Sequence, residues 1–182
     1  MVRVISGLAR GRQLKVPKGN IRPLSDQAKE SLFNILVNQV KDCDFLDLFA
    51  GSGAVGIEAL SRGARLAIFV EIDRRSVPVI RENLMDLGFD DRAEIFALPV
   101  NRALKILGKK QARFDIIFLG APYGSSELDR ALKLLGQIGM LKMGGVVVAE
   151  HRSKLILPEE FLQLKKFRTE KYGDTAFSFY KI

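Results

Sequence analysis

Five short apolar runs, separated by stretches of helical periodicity, dominate the middle of the chain and leave little choice of fold. They are F-L-D-L-F (45–49), L-A-I-F-V-E-I (66–72), A-E-I-F-A-L (93–98), F-D-I-I-F-L (114–119) and G-V-V-V-A-E-H (145–151). Near-continuous apolar runs of this length are the pattern of strands covered on both faces. Helices are expected at 51–62, on Val77, Ile80, Leu84 and Leu87, at 101–109, and on Leu128, Ala131, Leu135 and Ile138. Pro78 falls in a first helical turn, where its missing N–H has no helical partner to lose. Alternation of strand and helix predicts an α/β fold with a mostly parallel sheet. The C-terminal stretch breaks the rule: residues 167–180 hold two alternating strands around Gly173-Asp174, an antiparallel hairpin. That makes a seven-stranded sheet, with Phe177, Phe179 and Tyr180 in its core.

The first 25 residues differ in character. They carry Arg3, Arg10, Arg12, Lys15, Lys18 and Arg22 and no acid, six of the net charge of +8. Such a block is an electrostatic footprint for phosphate backbones, unless it is only the solvated face of a basic protein. Alternation around Gly11 reads as a β-hairpin, with Val2, Val4 and Leu8 on one side. A helix then follows over 26–40, capped by Ser25 or Asp26. The chain divides into a basic N-terminal arm (1–24), appended to the fold, and one domain (25–182).

Two segments hold candidate chemistry. The first run ends in D-L-F-A-G-S-G (47–53), and Glu71 follows Gly51 by 20 residues at the end of the second. Glycines let the backbone approach a ligand, and an acid at that distance is the usual partner of ribose hydroxyls, so a nucleoside cofactor is indicated. Gly51, Gly53 and Gly56 also satisfy the dinucleotide spacing, which keeps NAD open; Asp47 before the loop and the terminal hairpin argue against it. The P-loop pattern is absent. The fourth run ends in Gly120-Ala121-Pro122-Tyr123 at a strand tip, either a functional loop that lacks a reactive side chain or merely a turn. One cysteine, Cys43, and one histidine, His151, exclude a disulfide framework and a His- or Cys-rich metal centre. Cys43 suits a reducing cytosol, no apolar run spans a membrane and the N-terminus lacks a signal-peptide pattern. A cytoplasmic protein is therefore expected.

D-L-F-A-G-S-G, V-E-I-D and F-L-x-x-P-Y together resemble the class I S-adenosylmethionine-dependent methyltransferases, with their Rossmann-like fold. R-V-I-S-G-x-A-R-G-R (3–12), R-P-L-S-D-Q-A-K-E-S-L-F-N-I-L (22–36), residues 47–63 and Y-G-D-T-A-F-S-F-Y (172–180) narrow the resemblance to the RsmD family. That family methylates the exocyclic N2 of a guanine in bacterial small-subunit ribosomal RNA. The resemblance implies S-adenosylmethionine as cofactor, held by Asp47, Phe49, Ala50, Gly51, Ser52, Gly53, Glu71 and Ile72. It implies RNA contacts from the basic arm, catalysis at residues 120–123, no metal, and a monomer acting on RNA or a small-subunit assembly particle. Arg22 and Asp26 match its R-P-x-x-D segment near the cofactor. The family carries Asp-Pro-Pro-Tyr where this chain has Gly120-Ala121-Pro122-Tyr123, so the side chain that would accept a hydrogen of the target amine is missing. A second departure puts Pro99 where the family has an acid near the adenine. Alternatives are an impaired RNA-binding pseudo-enzyme and an amino-methylase acting on another nucleic acid.

Overall fold

A computed structural model describes residues 2–19 and 23–182. Strands β1 (Val2–Arg3) and β2 (Gln13–Leu14) form the N-terminal hairpin, with Val2 opposite Leu14. Val2, Val4 and Leu14 are buried, but Leu8 is 79% exposed, contrary to the alternation: the chain leaves the strand after Val4 to loop over a helix end. Helix α1 (Asp26–Ile35) starts at Ser25, whose hydroxyl accepts the Ala28 N–H. It breaks at Leu36 and resumes as α2 (Val37–Val40), which keeps both Leu36 and Val40 in the core.

The alternating region then follows: β3 (Asp44–Leu48), α3 (Ala54–Ser61), β4 (Leu66–Val70), α4 (Ser76–Leu87), β5 (Ala93–Phe96), α5 (Val100–Lys109), β6 (Phe114–Leu119) and α6 (Glu127–Ile138). β7 (Leu141–Arg152), β8 (Glu160–Phe161), β9 (Leu164–Tyr172) and β10 (Thr175–Lys181) complete the chain. The main sheet has the order β5-β4-β3-β6-β7-β10-β9-β8. β3 to β7 pair in parallel; β10 pairs antiparallel with β7 and β9. The seven expected strands are present, and the two-residue β8 adds an eighth at the edge.

Successive side chains of each central strand serve opposite layers. Phe45, Phe69, Ile116 and Phe118 pack toward α1, α3 and α4, together with Val2, Val4 and Leu14 of the arm. Leu46, Leu48, Ile117 and Leu119 pack toward α5 and α6. Phe177 and Phe179 join the first layer and Tyr180 the second, so all three are core residues. The chain runs outward from β3 to β5, then crosses to β6 on the other side of β3. That reversal opens a crevice at the carboxyl ends of β3 and β6, where open α/β sheets bind ligands. Among the described residues no helix is long and apolar enough to cross a membrane.

Candidate active site

The turn after β3 places three residues of positive φ within five positions. Phe49, Gly51 and Gly53 have φ of 64°, 58° and 78°. For Phe49, a bulky residue, such a conformation costs of order 1–3 kcal/mol and is held only by its surroundings. The Ala50 N–H donates to the Val70 carbonyl and the Gly53 N–H to the Ala50 carbonyl, at 3.1 and 2.7 Å. Gly56 serves packing instead. A Cβ there would stand 2.3 Å from the Phe69 ring, so glycine lets α3 close on the sheet. Asp47, fully buried beneath the turn, accepts the Gly56 N–H at 2.9 Å. Burial pushes its carboxyl up to about 7, against that hydrogen bond.

Glu71, at the end of β4, aims its carboxylate at the same turn. One oxygen accepts the Gly51 N–H at 2.7 Å and the other the Asp73 N–H at 2.8 Å. Each carboxylate oxygen has a second lone pair, so the group can still receive ligand hydroxyls. Phe49, Gly51, Glu71 and the 63%-exposed Ile72 line a cleft of about 580 Å³ whose far wall is Gly120, Ala121, Pro122, Tyr123 and Glu150. A second cavity of about 430 Å³ shares Phe49, Glu71, Ile72 and Pro122 and is closed by Pro99, Val100 and Asn101. The two expected sites are therefore faces of one crevice, and Pro99 contributes an apolar wall to it.

The Gly120 N–H donates to the Leu48 carbonyl at 3.1 Å, tying the second loop to the first strand. The Pro122 carbonyl already accepts both the N–H and the hydroxyl of Ser125. The Tyr123 hydroxyl donates to Glu150 at 2.8 Å and lies 3.1 Å from the Thr175 hydroxyl; Arg152 sits over its ring at 5.5 Å. Asp115, at the opposite end of β6, is bound by Lys142, which also holds Asp44. His151 is buried between the Arg152 carbonyl and the Ser178 hydroxyl, and Cys43 is buried with its thiol pushed up to about 12 by desolvation. Among the described residues no group of three or more potential ligands could hold a metal ion.

The described residues of the arm are bound at several points to α1, α3 and α4. Glu58, with no exposed surface, accepts the Ile5 and Ser6 N–H groups at 2.8 and 3.0 Å, and Arg62 Nε at 2.7 Å. Lys29 Nζ, equally buried, lies 3.4 Å from Glu58 and donates to the Arg3 carbonyl. The Ser61 hydroxyl takes the Ala9 N–H. Further on, the arm follows α4 backwards toward the crevice: Arg12 donates to the Asp86 carbonyl, Lys15 pairs with Glu82 and Asp86, and Gly19 lies beside Arg75. Buried Asn83 exchanges hydrogen bonds with the Lys15 backbone and donates to the Ser52 carbonyl, joining arm to turn. Arg3 is paired with Asp26, whereas Arg10 and Lys18 are exposed. Arg22 lies outside the described residues.

The family described as conserved hypothetical protein 95 matches residues 2–181. The chain is 40% identical to YlbH of Bacillus subtilis (strain 168) over 181 residues, 99% of this chain and 98% of that protein. It is 36% identical to ribosomal RNA small subunit methyltransferase D of Haemophilus influenzae, over 92% of this chain and 89% of the relative. The chain belongs to the RsmD family. A solved structure of a hypothetical protein from Thermus thermophilus superposes with a TM-score of 0.88 at 34% identity, covering all of both chains. The RsmD-family resemblance of the motifs thus extends over the whole length. The motifs assigned no role to Glu58, Asn83 or Glu150. Glu58 lies within the 47–63 stretch and Glu150 at the end of an apolar run, but Glu58 and Asn83 act on arm residues more than 50 positions away, which no local pattern shows.

Proposed function

We propose that this chain transfers a methyl group from S-adenosylmethionine to the exocyclic N2 amine of a guanine in small-subunit ribosomal RNA, as naked RNA or in an assembly particle. The observation that carries the reading is the single crevice in which the Phe49–Gly53 turn and Glu71 face the Gly120–Tyr123 loop. The Haemophilus relative is named for ribosomal RNA of the small subunit, which supports the substrate class. A cleft of about 580 Å³ has the capacity of a nucleoside site, and Glu71 offers lone pairs beyond those used by Gly51 and Asp73. Bound there, S-adenosylmethionine would supply a methyl group made electrophilic by its sulfonium. Glu71 would receive ribose hydroxyls, Ile72 would cover the adenine, and the turn backbone would follow the methionine portion. The amine is a poor nucleophile because its lone pair is delocalised into the ring, so the second loop must orient it. Tyr123 would hold the base once it has left its stack. Arg10, Arg12 and Lys18 would bind RNA phosphates, with Arg3 and Lys15 contributing less because each already has an acidic partner.

Gly120 favours a second reading, an RNA-binding protein with impaired chemistry, because it brings no side chain to the amine. Calorimetry with S-adenosylhomocysteine and with NAD tests the cofactor: the reading expects binding of the first, and binding of NAD alone sinks it. Transfer of labelled methyl groups to under-methylated small-subunit particles separates the enzyme from the impaired form.

A further inference from the structure

We propose that Glu150 is the catalytic carboxylate of this chain, accepting a hydrogen of the target amine in the place that the family gives to a side chain on residue 120. This rests on the methyl-transfer reading above. β6 and β7 are parallel neighbours in the register Leu119 to Ala149, so residues 120 and 150 emerge side by side at the carboxyl edge. Adjacent strands lie about 4.8 Å apart, a gap that a glutamate side chain can cross. It does so here: a Cβ on Gly120 would stand 3.4 Å from Glu150 Oε2. The carboxylate thus reaches the space beside Gly120 from the neighbouring strand.

Its orientation is fixed from behind. Tyr123 donates its hydroxyl to Oε1 at 2.8 Å, and the Thr175 hydroxyl lies 3.1 Å from the same tyrosine oxygen. One residue of the substrate loop therefore sets the carboxylate while offering its ring to the cleft. Glycine at 120 also has a packing reason, since a Cβ there would come within 3.2 Å of the Phe118 ring. Glu150 lines the same crevice as Gly51 and Glu71, so amine, carboxylate and methyl donor can meet. In the step, the amine nitrogen forms a bond to the methyl carbon as the carbon–sulfur bond breaks, its electron pair staying on sulfur. The proton then lost from nitrogen passes to Glu150 and on to water.

The test compares the wild-type chain, G120D, E150Q and the double variant G120D/E150Q in methyl transfer to under-methylated small-subunit particles. RNA affinity without methyl donor and the thermal midpoint are measured alongside. The expected result for E150Q is a loss of about a hundredfold or more in kcat, with RNA affinity and midpoint unchanged. In the double variant, Asp at 120 restores about tenfold or more of that loss. An E150Q enzyme within about threefold of wild type in kcat overturns the proposal. So does a loss of RNA affinity matching the loss of rate, which would mark a structural role. If the wild-type chain transfers nothing but G120D does, Glu150 does not replace the missing group. If neither transfers, the methyl-transfer reading itself fails.

Discussion

Glu58→Ala removes the residue that fastens the arm. The buried carboxylate receives two peptide N–H groups of the arm and Arg62, and it faces a Lys29 ammonium with 1% of its side-chain surface exposed. Desolvation lowers the Lys29 pKa in spite of Glu58, so this charge depends on its partner. Breaking a buried pair by deleting one member costs about 3–5 kcal/mol. The orphaned Ile5 and Ser6 N–H groups would add about 1–3 kcal/mol each if they stayed buried. They can instead reach water if the arm lifts, so the ion-pair figure sets the scale. At about 2–4 °C per kcal/mol for a chain of this size, the midpoint should fall by roughly 6–20 °C. Hydrogen exchange at Ile5, Ser6 and Ala9 should quicken at the same time. Adding Lys29→Met should recover part of the loss, because an apolar side chain tolerates the vacated site better than an unpaired ammonium. A midpoint within about 2 °C of wild type, with the Ile5 and Ser6 amides still protected, would refute this account of the arm.

Other residues make separate predictions. Gly7→Ala should destabilise by more than about 1 kcal/mol in urea denaturation, because Gly7 has φ of +84° and a Cβ would stand 1.9 Å from the Ser61 carbonyl oxygen; an unchanged midpoint would contradict the packing. Asp47 has its carboxyl raised by burial from 3.8 to about 7, so the folded state holds the proton more tightly than the unfolded state. Its contribution is full below the unfolded value and is lost as pH rises toward 7, at up to about 1.4 kcal/mol per pH unit. Melting curves of wild type and Asp47→Asn over this window should therefore show the variant gaining on wild type as pH rises, and parallel profiles would exclude the shift. Glu71→Gln should weaken S-adenosylhomocysteine by roughly ten- to a hundredfold, the worth of a hydrogen bond to a charged group; unchanged affinity in calorimetry would remove Glu71 from the ribose site.

The central parallel strands β3, β4 and β6 were legible because they are buried on both faces, so their apolar runs stand out against amphipathic helices such as α5, where Ala103, Leu104 and Leu107 are buried and Arg102 and Lys105 are not. Strand ends were less legible. β7 starts at Leu141 rather than Gly145 because Leu141 pairs with Phe114 ahead of a register shift; with Lys142 turned to Asp44 and Asp115 and Met143 97% exposed, no apolar run marks that start. The two-residue β8 is too short to leave a periodic signal. In the site, the glycine turn and Glu71 could be read because their spacing is set within one strand–helix–strand unit. The arm's attachment could not, since the alternation of Val2 and Val4 predicts a buried side but not Glu58 or Asn83 as its partners. The nearness of Glu150 to Gly120 depends on which strands are neighbours and in what register, which no local pattern carries.

The most direct test of the proposed function is the identity of the product. Small-subunit RNA lacking its natural methylations would be incubated with the chain and S-adenosylmethionine, digested to nucleosides and analysed by mass spectrometry. The expected result is one new modified nucleoside, N2-methylguanosine, formed by the wild-type chain. A methyl group on another base or on ribose, or none under conditions where S-adenosylhomocysteine binds, would contradict it.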